Sequence, residues 1–144
     1  MTAAYATAQD AEDAFYDALD ESDPTKMMSV WEDSDEVACL LPMQALVRGR
    51  REVERLWQAL MDGDFQLDLS VTHIQWTEAG DMAIHLVEER VSAPGGQPPP
   101  PPLYGINVFR RGSDGWRLLV HQNSPSPPPP GMSTPGIVPP GAPR

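Results

Sequence analysis

The acidic side chain best placed for chemistry is Glu88, in a run of alternating residues from Met82 to Ser92. It shares its parity with Ile84 and Leu86, so it projects into a pocket if that face of the strand is concave. A carboxylate enclosed in this way can act as a general base. The alternative is a carboxylate in solvent near the end of the strand, paired with a neighbouring arginine such as Arg90.

A second polar set lies in the closing run GWRLLVHQNSP. His121 and Asn123 share parity there, and an imidazole beside an amide offers donors and acceptors that can hold a carbonyl or a carboxylate. His121 can also transfer a proton, because the unperturbed pKa of histidine lies near neutral pH. The alternative is a histidine that only ties down strand ends by hydrogen bonding.

Two tryptophans can supply an apolar wall. Trp31 and Trp57 fall on the apolar faces of two predicted helices, and aromatic walls suit an apolar or planar ligand. The alternative is that both fill the core, as large aromatic residues ordinarily do in a small domain.

The other histidines and the single cysteine suggest no metal or redox chemistry. His73 and His85 lie on different strands, without cysteines or carboxylates at ligand spacing, so the sequence predicts no metal site. His85 alternates with Ala83 and Val87, a parity that we assign to the outer face of the sheet, where it would touch a partner subunit. Cys39 is predicted to be a small buried residue. Because no Gly-rich phosphate loop or nucleotide-binding fingerprint occurs, no cofactor is predicted.

Three helices must position these residues. Apolar residues recur at helical spacing between Ala8 and Ser22. Asp23 and Pro24 then provide a cap and a first helical position for a short second helix. A third helix is predicted from about Arg50 to Met61, with Gly63 as its stop signal.

The other elements are strands. Val37 to Leu41 and Leu46 to Arg48 predict two short strands around a turn. The alternation that begins at Phe65 and Leu67 changes parity before Trp76, which indicates a long strand with a bulge near Thr72 or His73. An antiparallel meander is predicted from three later runs, Met82 to Ser92, Tyr104 to Arg111 and Trp116 to Asn123.

All but two of the 17 prolines fall in two segments, 94–102 and 125–143. Proline fixes φ and donates no backbone hydrogen bond, so neither segment can be the interior of a helix or a central strand. The first is predicted to be an elongated hairpin connection. The chain is therefore interpreted as one α+β domain over residues 1–124 followed by a proline-rich, disordered tail over residues 125–144.

The overall charge narrows the possible partners. A formal net charge of −11 disfavours nucleic acid and anionic membrane surfaces, which would be repelled. A single cysteine cannot form an intrachain disulfide, which fits a reducing compartment. The N-terminus lacks a basic start and an uninterrupted apolar stretch, and no window approaches the length of a membrane span. A cytoplasmic location is predicted.

Several short signatures occur in a characteristic order: Phe15-Tyr16 with Asp23, Val30-Trp31, Leu41-Pro42, Gly49 with Trp57, INVFRR at 106–111 and the closing run. Together they resemble the SnoaL-like branch of the nuclear transport factor 2-like superfamily, over about residues 8–125. The resemblance implies a cone-shaped α+β barrel, or cystatin-like roll, in which a curved, mostly antiparallel sheet wraps over the three helices and leaves an apolar pocket. It also implies a homodimer formed through the outer face of the sheet. Since proteins of this fold include isomerases, cyclases, dehydratases and modules without catalysis, function must be argued from the site.

Steroid isomerases look similar and suggest where acids and bases would stand. Their tyrosine on the first helix, aspartate before the proline after the first strand and aspartic acid on the fifth strand match Phe15, Leu41 and Asn107 here. Phe15 cannot donate a hydrogen bond and Leu41 cannot carry a proton, so isomerisation by that route is not predicted. A shift of one residue in the match would put Tyr16 in the place of the donor.

The leading hypothesis is therefore a homodimeric protein that binds a small, largely apolar molecule in a central pocket, with no catalysis established. A second hypothesis is a small-molecule isomerase, lyase or dehydratase with Glu88 or His121 as its base. A third is a non-catalytic homo-oligomerisation module. The predicted ligand-binding residues are Trp31, Trp57, Glu88, Asn107, Phe109, His121 and Asn123.

Overall fold

A computed structural model describes residues 5–63, 68–92, 95, 98 and 100–124. The predicted start of the long strand at Phe65 and Leu67, part of the proline-rich connection at 94–102 and the predicted tail at 125–144 lie outside the described residues. The division of the chain at residue 124 therefore stays a prediction.

The three predicted helices are present, and each begins at a sequence signal. Helix α1 (Ala8–Glu21) follows Thr7, whose side chain accepts a hydrogen bond from the backbone N–H of Asp10. Helix α2 (Pro24–Val30) begins with a proline after the capping carboxylate of Asp23. Helix α3 (Arg50–Leu60) follows Gly49, whose φ of 86° suits glycine.

Within the described residues, six strands form one sheet in the order β2-β1-β6-β5-β4-β3. They are β1 (Ala38–Leu40), β2 (Val47–Arg48), β3 (Leu69–Ala79), β4 (Met82–Val91), β5 (Leu103–Gly112) and β6 (Gly115–Ser124). Strands β4 to β6 form the predicted antiparallel meander, and β3 extends it as a fourth antiparallel strand. Strand β1 pairs in parallel with β6 and antiparallel with β2.

Two irregularities interrupt the long strands. The register of β3 against β4 shifts between His73 and Gln75, which confirms the bulge predicted near Thr72 or His73. A second shift lies between Val108 and Phe109 on β5. Bulges increase twist and bend a strand, so they favour the curl of this sheet over the helices. The predicted α+β class, a curled sheet against three helices, is confirmed.

The core lies between the helices and the inner face of the sheet. Phe15 on α1 is at its centre, with the ring of Trp31 6.5 Å away and that of Trp57 5.8 Å away. His121 on β6 packs against the same phenyl ring at 4.8 Å. Cys39 is fully buried, as predicted. The histidine therefore lies within an aromatic core.

The predicted faces of β4 are wrong. Ala83, His85, Val87 and Glu89 are the buried side chains, whereas Glu88 lies on the opposite face. There its carboxylate pairs with Arg90 at 2.5 Å. The prediction placed the larger apolar residues of the strand inward, but the inner face holds small and polar residues that bond to groups on α1. Glu88 is thus corrected to an outer-face residue and His85 to a core residue.

Among the described residues, none of the helices combines the length and apolar character needed to cross a membrane.

Candidate functional site

A cavity of about 260 Å³ opens between α1, α3 and the inner face of the sheet. Most of its wall is apolar, and its largest apolar members are Leu19, Leu41, Trp57, Leu60, Leu69 and Leu103. Four polar residues line the rest: Gln44 in the loop between β1 and β2, and a polar wall of Glu89, His121 and Asn123 from the sheet. Small-molecule sites typically combine apolar walls with a few convergent polar groups in about 300–1,000 Å³. This cavity has that composition but is slightly smaller, so it suits only a very small ligand.

The polar wall belongs to a closed ring of five hydrogen-bonded side chains, which we call the amide ring. The phenol of Tyr16 donates to Glu89 Oε2 at 2.7 Å and accepts from Asn107 Nδ2 at 3.0 Å. Asn107 Oδ1 lies 2.5 Å from His121 Nδ1, and His121 Nε2 lies 2.8 Å from Asn123 Oδ1. Asn123 Nδ2 closes the ring by donating to Glu89 Oε1 at 3.0 Å.

The amide ring has a definite requirement for one proton. A carboxylate only accepts hydrogen bonds, so Asn123 must turn its amino group toward Glu89 and its oxygen toward His121. Asn107 likewise presents its oxygen to His121, so both imidazole nitrogens face acceptors. Every donor in the ring then meets an acceptor if His121 is protonated, because both of its nitrogens donate, one to Asn107 Oδ1 and the other to Asn123 Oδ1. The contacts are equally matched when Glu89 holds that proton and the Asn123 amide is reversed.

Burial moves the titratable groups of the ring away from their ordinary behaviour. Desolvation raises the pKa of Tyr16, and the adjacent charge of Glu89 raises it further, so the phenol remains a donor. Desolvation lowers the pKa of His121, while the charge of Glu89 and the hydrogen bond with Asn123 oppose that shift. The ring therefore contains a permanent donor and a histidine whose protonation would match its hydrogen bonds but is opposed by burial.

A glycine on β5 makes room for the ring. Gly105 pairs with Asn123 across the sheet. A Cβ at this position would meet Asn123 Nδ2 and Glu89 Oε2 at 3.2 Å each. Both contacts are tighter than normal packing, so the small residue lets the amide and carboxylate approach each other.

A second polar group, which we call the histidine cluster, joins α1 to β3 and β4 and consists of Glu12, His73 and His85. Glu12 Oε1 lies 2.5 Å from His73 Nε2, and Glu12 Oε2 lies 2.9 Å from His85 Nδ1. Asn107 Nδ2 also donates to Glu12 Oε2 at 2.9 Å, which connects the cluster to the amide ring. Burial acts to raise the pKa of Glu12, but hydrogen bonds from His85 and Asn107 and the charge of His85 outweigh it and lower the pKa.

The structure brings together part of the predicted ligand set. Trp57, His121 and Asn123 line the cavity, and Asn107 lies one hydrogen bond behind His121. Trp31 is buried away from this cavity, and Phe109 packs against His85 with ring centroids 5.0 Å apart. Glu88 lies on the outer face of the sheet.

Sequence reasoning missed Glu89, Tyr16 as a ring member, and the histidine cluster. His73 and His85 were expected to have no common partner, yet both bond to Glu12, which is 61 and 73 residues away in the chain. One signal was available: Glu12 interrupts the apolar face of the first helix, one turn before Tyr16. A carboxylate on a buried helical face requires buried partners.

Comparisons with known proteins agree with this fold. A family model described as a SnoaL-like domain matches residues 9–128. No match is found among curated proteins.

Solved structures give closer comparisons. A proposed calcium/calmodulin-dependent protein kinase type II association domain from Thiobacillus denitrificans is 33% identical, with 87% of this chain and 99% of that chain covered and a TM-score of 0.81. A proposed dehydratase of the nuclear transport factor 2-like family from Streptomyces avermitilis is 29% identical, with 82% of this chain and 92% of that chain covered and a TM-score of 0.71. A ketosteroid isomerase-like protein from Erwinia carotovora atroseptica shares the fold. It is 13% identical, with 81% of this chain and 94% of that chain covered and a TM-score of 0.64.

Proposed function

Because the chain belongs to the SnoaL-like family, we propose that its cavity binds one small, largely apolar molecule that carries a polar group at one end. The observation that supports this is the division of a single cavity into an apolar wall and a polar wall of Glu89, His121 and Asn123. Apolar contacts would supply most of the affinity, and the polar wall would fix the orientation of the ligand.

The hydrogen-bonding groups at the cavity indicate which polar group fits. Glu89 retains acceptor capacity beyond its bonds to Tyr16 and Asn123, because a carboxylate offers about four lone-pair sites. Trp57 lines the cavity, and its indole N–H has no partner among the described residues. A hydroxyl group matches this pair, since it can donate to Glu89 and accept from Trp57.

A titration with p-cresol and toluene tests this proposal. The two probes have similar shapes, but only p-cresol carries a hydroxyl group. In ¹H–¹⁵N NMR spectra, p-cresol is expected to shift the Trp57 indole resonance and to bind at least tenfold more tightly than toluene, as one hydrogen bond to a charged group allows. Leu41→Trp should fill the cavity and abolish binding, whereas Leu46→Trp, at an exposed position, should not. Equal binding by both tryptophan variants would contradict the proposal.

A second candidate function is proton transfer at the bound molecule, as an isomerase, lyase or dehydratase requires. The one-proton requirement of the amide ring favours it, and so does the similarity to a proposed dehydratase. Glu89 would take up a proton from a carbon atom of the ligand, and the ring would stabilise the protonated acid through Asn123 and His121. Glu88 has no part in this scheme.

Exchange of the α-protons of cyclohexanone in D₂O tests proton transfer. A C–H bond breaks as Glu89 accepts the proton, and a C–D bond forms when solvent-derived deuterium returns, so ¹H NMR reports the loss of signal. Catalysed exchange should disappear in Glu89→Gln and persist in Glu88→Gln, the neighbouring carboxylate on the opposite face. Exchange no faster than in buffer, or equal in both variants, would rule out Glu89 as the base for this probe.

We also propose that the outer face of the sheet joins two copies of the chain. Ile84 and Ile106 are 46% and 39% exposed, and they pair with Val108 and Leu86 at the centre of that face. An exposed apolar patch on a sheet suits a symmetric interface. In analytical ultracentrifugation, Ile84→Glu should convert a dimer to a monomer, whereas Leu46→Glu should leave it unchanged. A monomeric wild-type protein at micromolar concentration would exclude this interface.

A further inference from the structure

The histidine cluster gathers three metal-binding side chains from three separate elements. Glu12 comes from α1, His73 from β3 and His85 from β4. One ligand atom of each residue lies within 4.8 Å of the other two. Glu12 and His85 are 1% and 0% exposed, and the side chain of His73 is 31% exposed. The cluster is thus held in the core and reached from one side.

The donor set matches the preferences of a divalent transition metal ion. Two imidazole nitrogens and one carboxylate are typical ligands of Zn²⁺, Co²⁺ and Fe²⁺. Asn107 donates to Glu12 at 2.9 Å and fixes the carboxylate, as an outer partner of a metal ligand does. The rings of Trp76 and Phe109 pack against His85 with centroids 4.4 and 5.0 Å away. These contacts hold the ligand side chains in place.

One buried nitrogen of His85 indicates that the cluster does more than stabilise the fold. His85 Nε2 is buried and has no hydrogen-bond partner within the described part of the chain. Buried polar atoms are nearly always paired in folded proteins, so an unpaired imidazole nitrogen in this cluster needs a reason. A cation bound through Nε2 would pair this atom, while Nδ1–H continues to donate to Glu12 Oε2.

A cation also has a favourable route to the cluster. A hollow of about 360 Å³ adjoins Glu12 and His73, and Asp13 and Asp17 lie on its wall. Two carboxylates at an entrance attract a cation and repel anions. The hollow also has room for water, which would complete the coordination around three protein ligands.

We propose that Glu12, His73 and His85 form a binding site for one divalent first-row transition metal ion. The site is separate from the ligand cavity, and the proposal does not rest on the function proposed above. Hydrogen bonds within the cluster are the competing explanation, and the two differ in what happens when metal is added.

The test uses the full chain, stripped with a chelator and titrated with Co²⁺. A site with two nitrogen ligands and one oxygen ligand should give d–d absorption that saturates at one equivalent, and Zn²⁺ should displace the Co²⁺. His73→Ala should weaken Co²⁺ binding at least tenfold; because His73 is partly exposed, this variant should fold, which circular dichroism checks. Glu12→Gln should also weaken Co²⁺ binding. The matched control is Glu78→Gln, which changes an exposed carboxylate on β3, the strand that carries His73.

The outcomes separate the two explanations. One saturable equivalent that is weakened in His73→Ala and Glu12→Gln but unchanged in Glu78→Gln supports the metal site. The proposal is overturned if the wild type gives no saturable one-equivalent signal, or if folded His73→Ala binds Co²⁺ as tightly as the wild type.

Discussion

The amide ring and the histidine cluster lie side by side on the inner face of one sheet. They differ in how completely their buried polar atoms are hydrogen-bonded. In the ring, each oxygen or nitrogen that we described has a partner, and the ring borders an apolar cavity. The histidine cluster leaves one imidazole nitrogen without a partner among the described residues and borders an acidic hollow. A single face therefore carries two polar groups of different character, joined through Asn107.

The strongest way to break this comparison is to remove the residue that both groups share. Asn107→Ala takes a donor from Glu12 and an acceptor from His121, both buried, so we expect a loss of about 3 kcal/mol in the free energy of unfolding. Urea denaturation measures it. The control is Gln122→Ala on the exposed side of β6, which should cost less than about 0.5 kcal/mol; a similar cost in both variants would mean that Asn107 does not couple the two groups.

Removing one hydroxyl group tests the ring alone. Tyr16→Phe deletes a donor to a buried carboxylate and should cost about 2 kcal/mol, because hydrogen bonds to charged groups contribute more than neutral ones. Tyr5→Phe deletes a neutral, half-buried contact to Ser29 and should cost about 0.5–1 kcal/mol. The same denaturation experiment compares them, and a larger loss in Tyr5→Phe would argue against a charged Glu89.

The dependence of stability on pH probes His121. Burial lowers its pKa in the native state below the ordinary 6.5. Below that pH the unfolded chain therefore takes up a proton that the native chain does not, and stability falls as the pH drops, by at most about 1.4 kcal/mol per pH unit. His121→Gln should show a shallower fall between pH 7 and 5.5. An NMR titration that places the pKa of His121 above 6.5 would reverse the sign.

The smallest expected loss of stability comes from adding a methyl group beside the amide ring. Gly105→Ala places a methyl group 3.2 Å from both Asn123 Nδ2 and Glu89 Oε2, so we expect a loss of about 1 kcal/mol. Gly112→Ala, at an exposed position where the nearest atom is 3.7 Å away, should change stability by less than about 0.5 kcal/mol. Equal values from thermal unfolding would indicate that the ring adjusts without strain.

The sequence was sufficient to predict the helices and strands, but it was less reliable for predicting which face of a strand points into the core. Helical periodicity, the cap at Asp23 and the stop signal at Gly63 located the helices, because these signals are local. The face of β4 was misassigned since Ile84 and Leu86, on the outer side, are more apolar than His85 and Glu89 on the inner side. Ordinary patterning assumes a single buried face, whereas here both faces carry apolar residues.

The candidate site was recovered where a local pattern and residue type agreed, as for Trp57 on the apolar face of its helix and for two residues of the closing strand. His121 and Asn123 were predicted for that reason, and both line the cavity. Contacts such as Glu12 to His85 join residues 73 positions apart, and no local pattern in one sequence specifies such a pair. Tyr16 was considered only as a one-residue shift from Phe15, although a change of one residue on a helix rotates a side chain by about 100°.

The parallel pairing of β1 with β6 places a constraint on how the protein is made. Cys39 aligns with His121, so the first strand finds its parallel neighbour only in the last one. During synthesis on the ribosome, α1 to α3 emerge well before the residues that complete the cavity wall. The unfinished chain therefore exposes Phe15 and Trp57 until β6 has emerged, a period in which chaperone binding would protect it from aggregation.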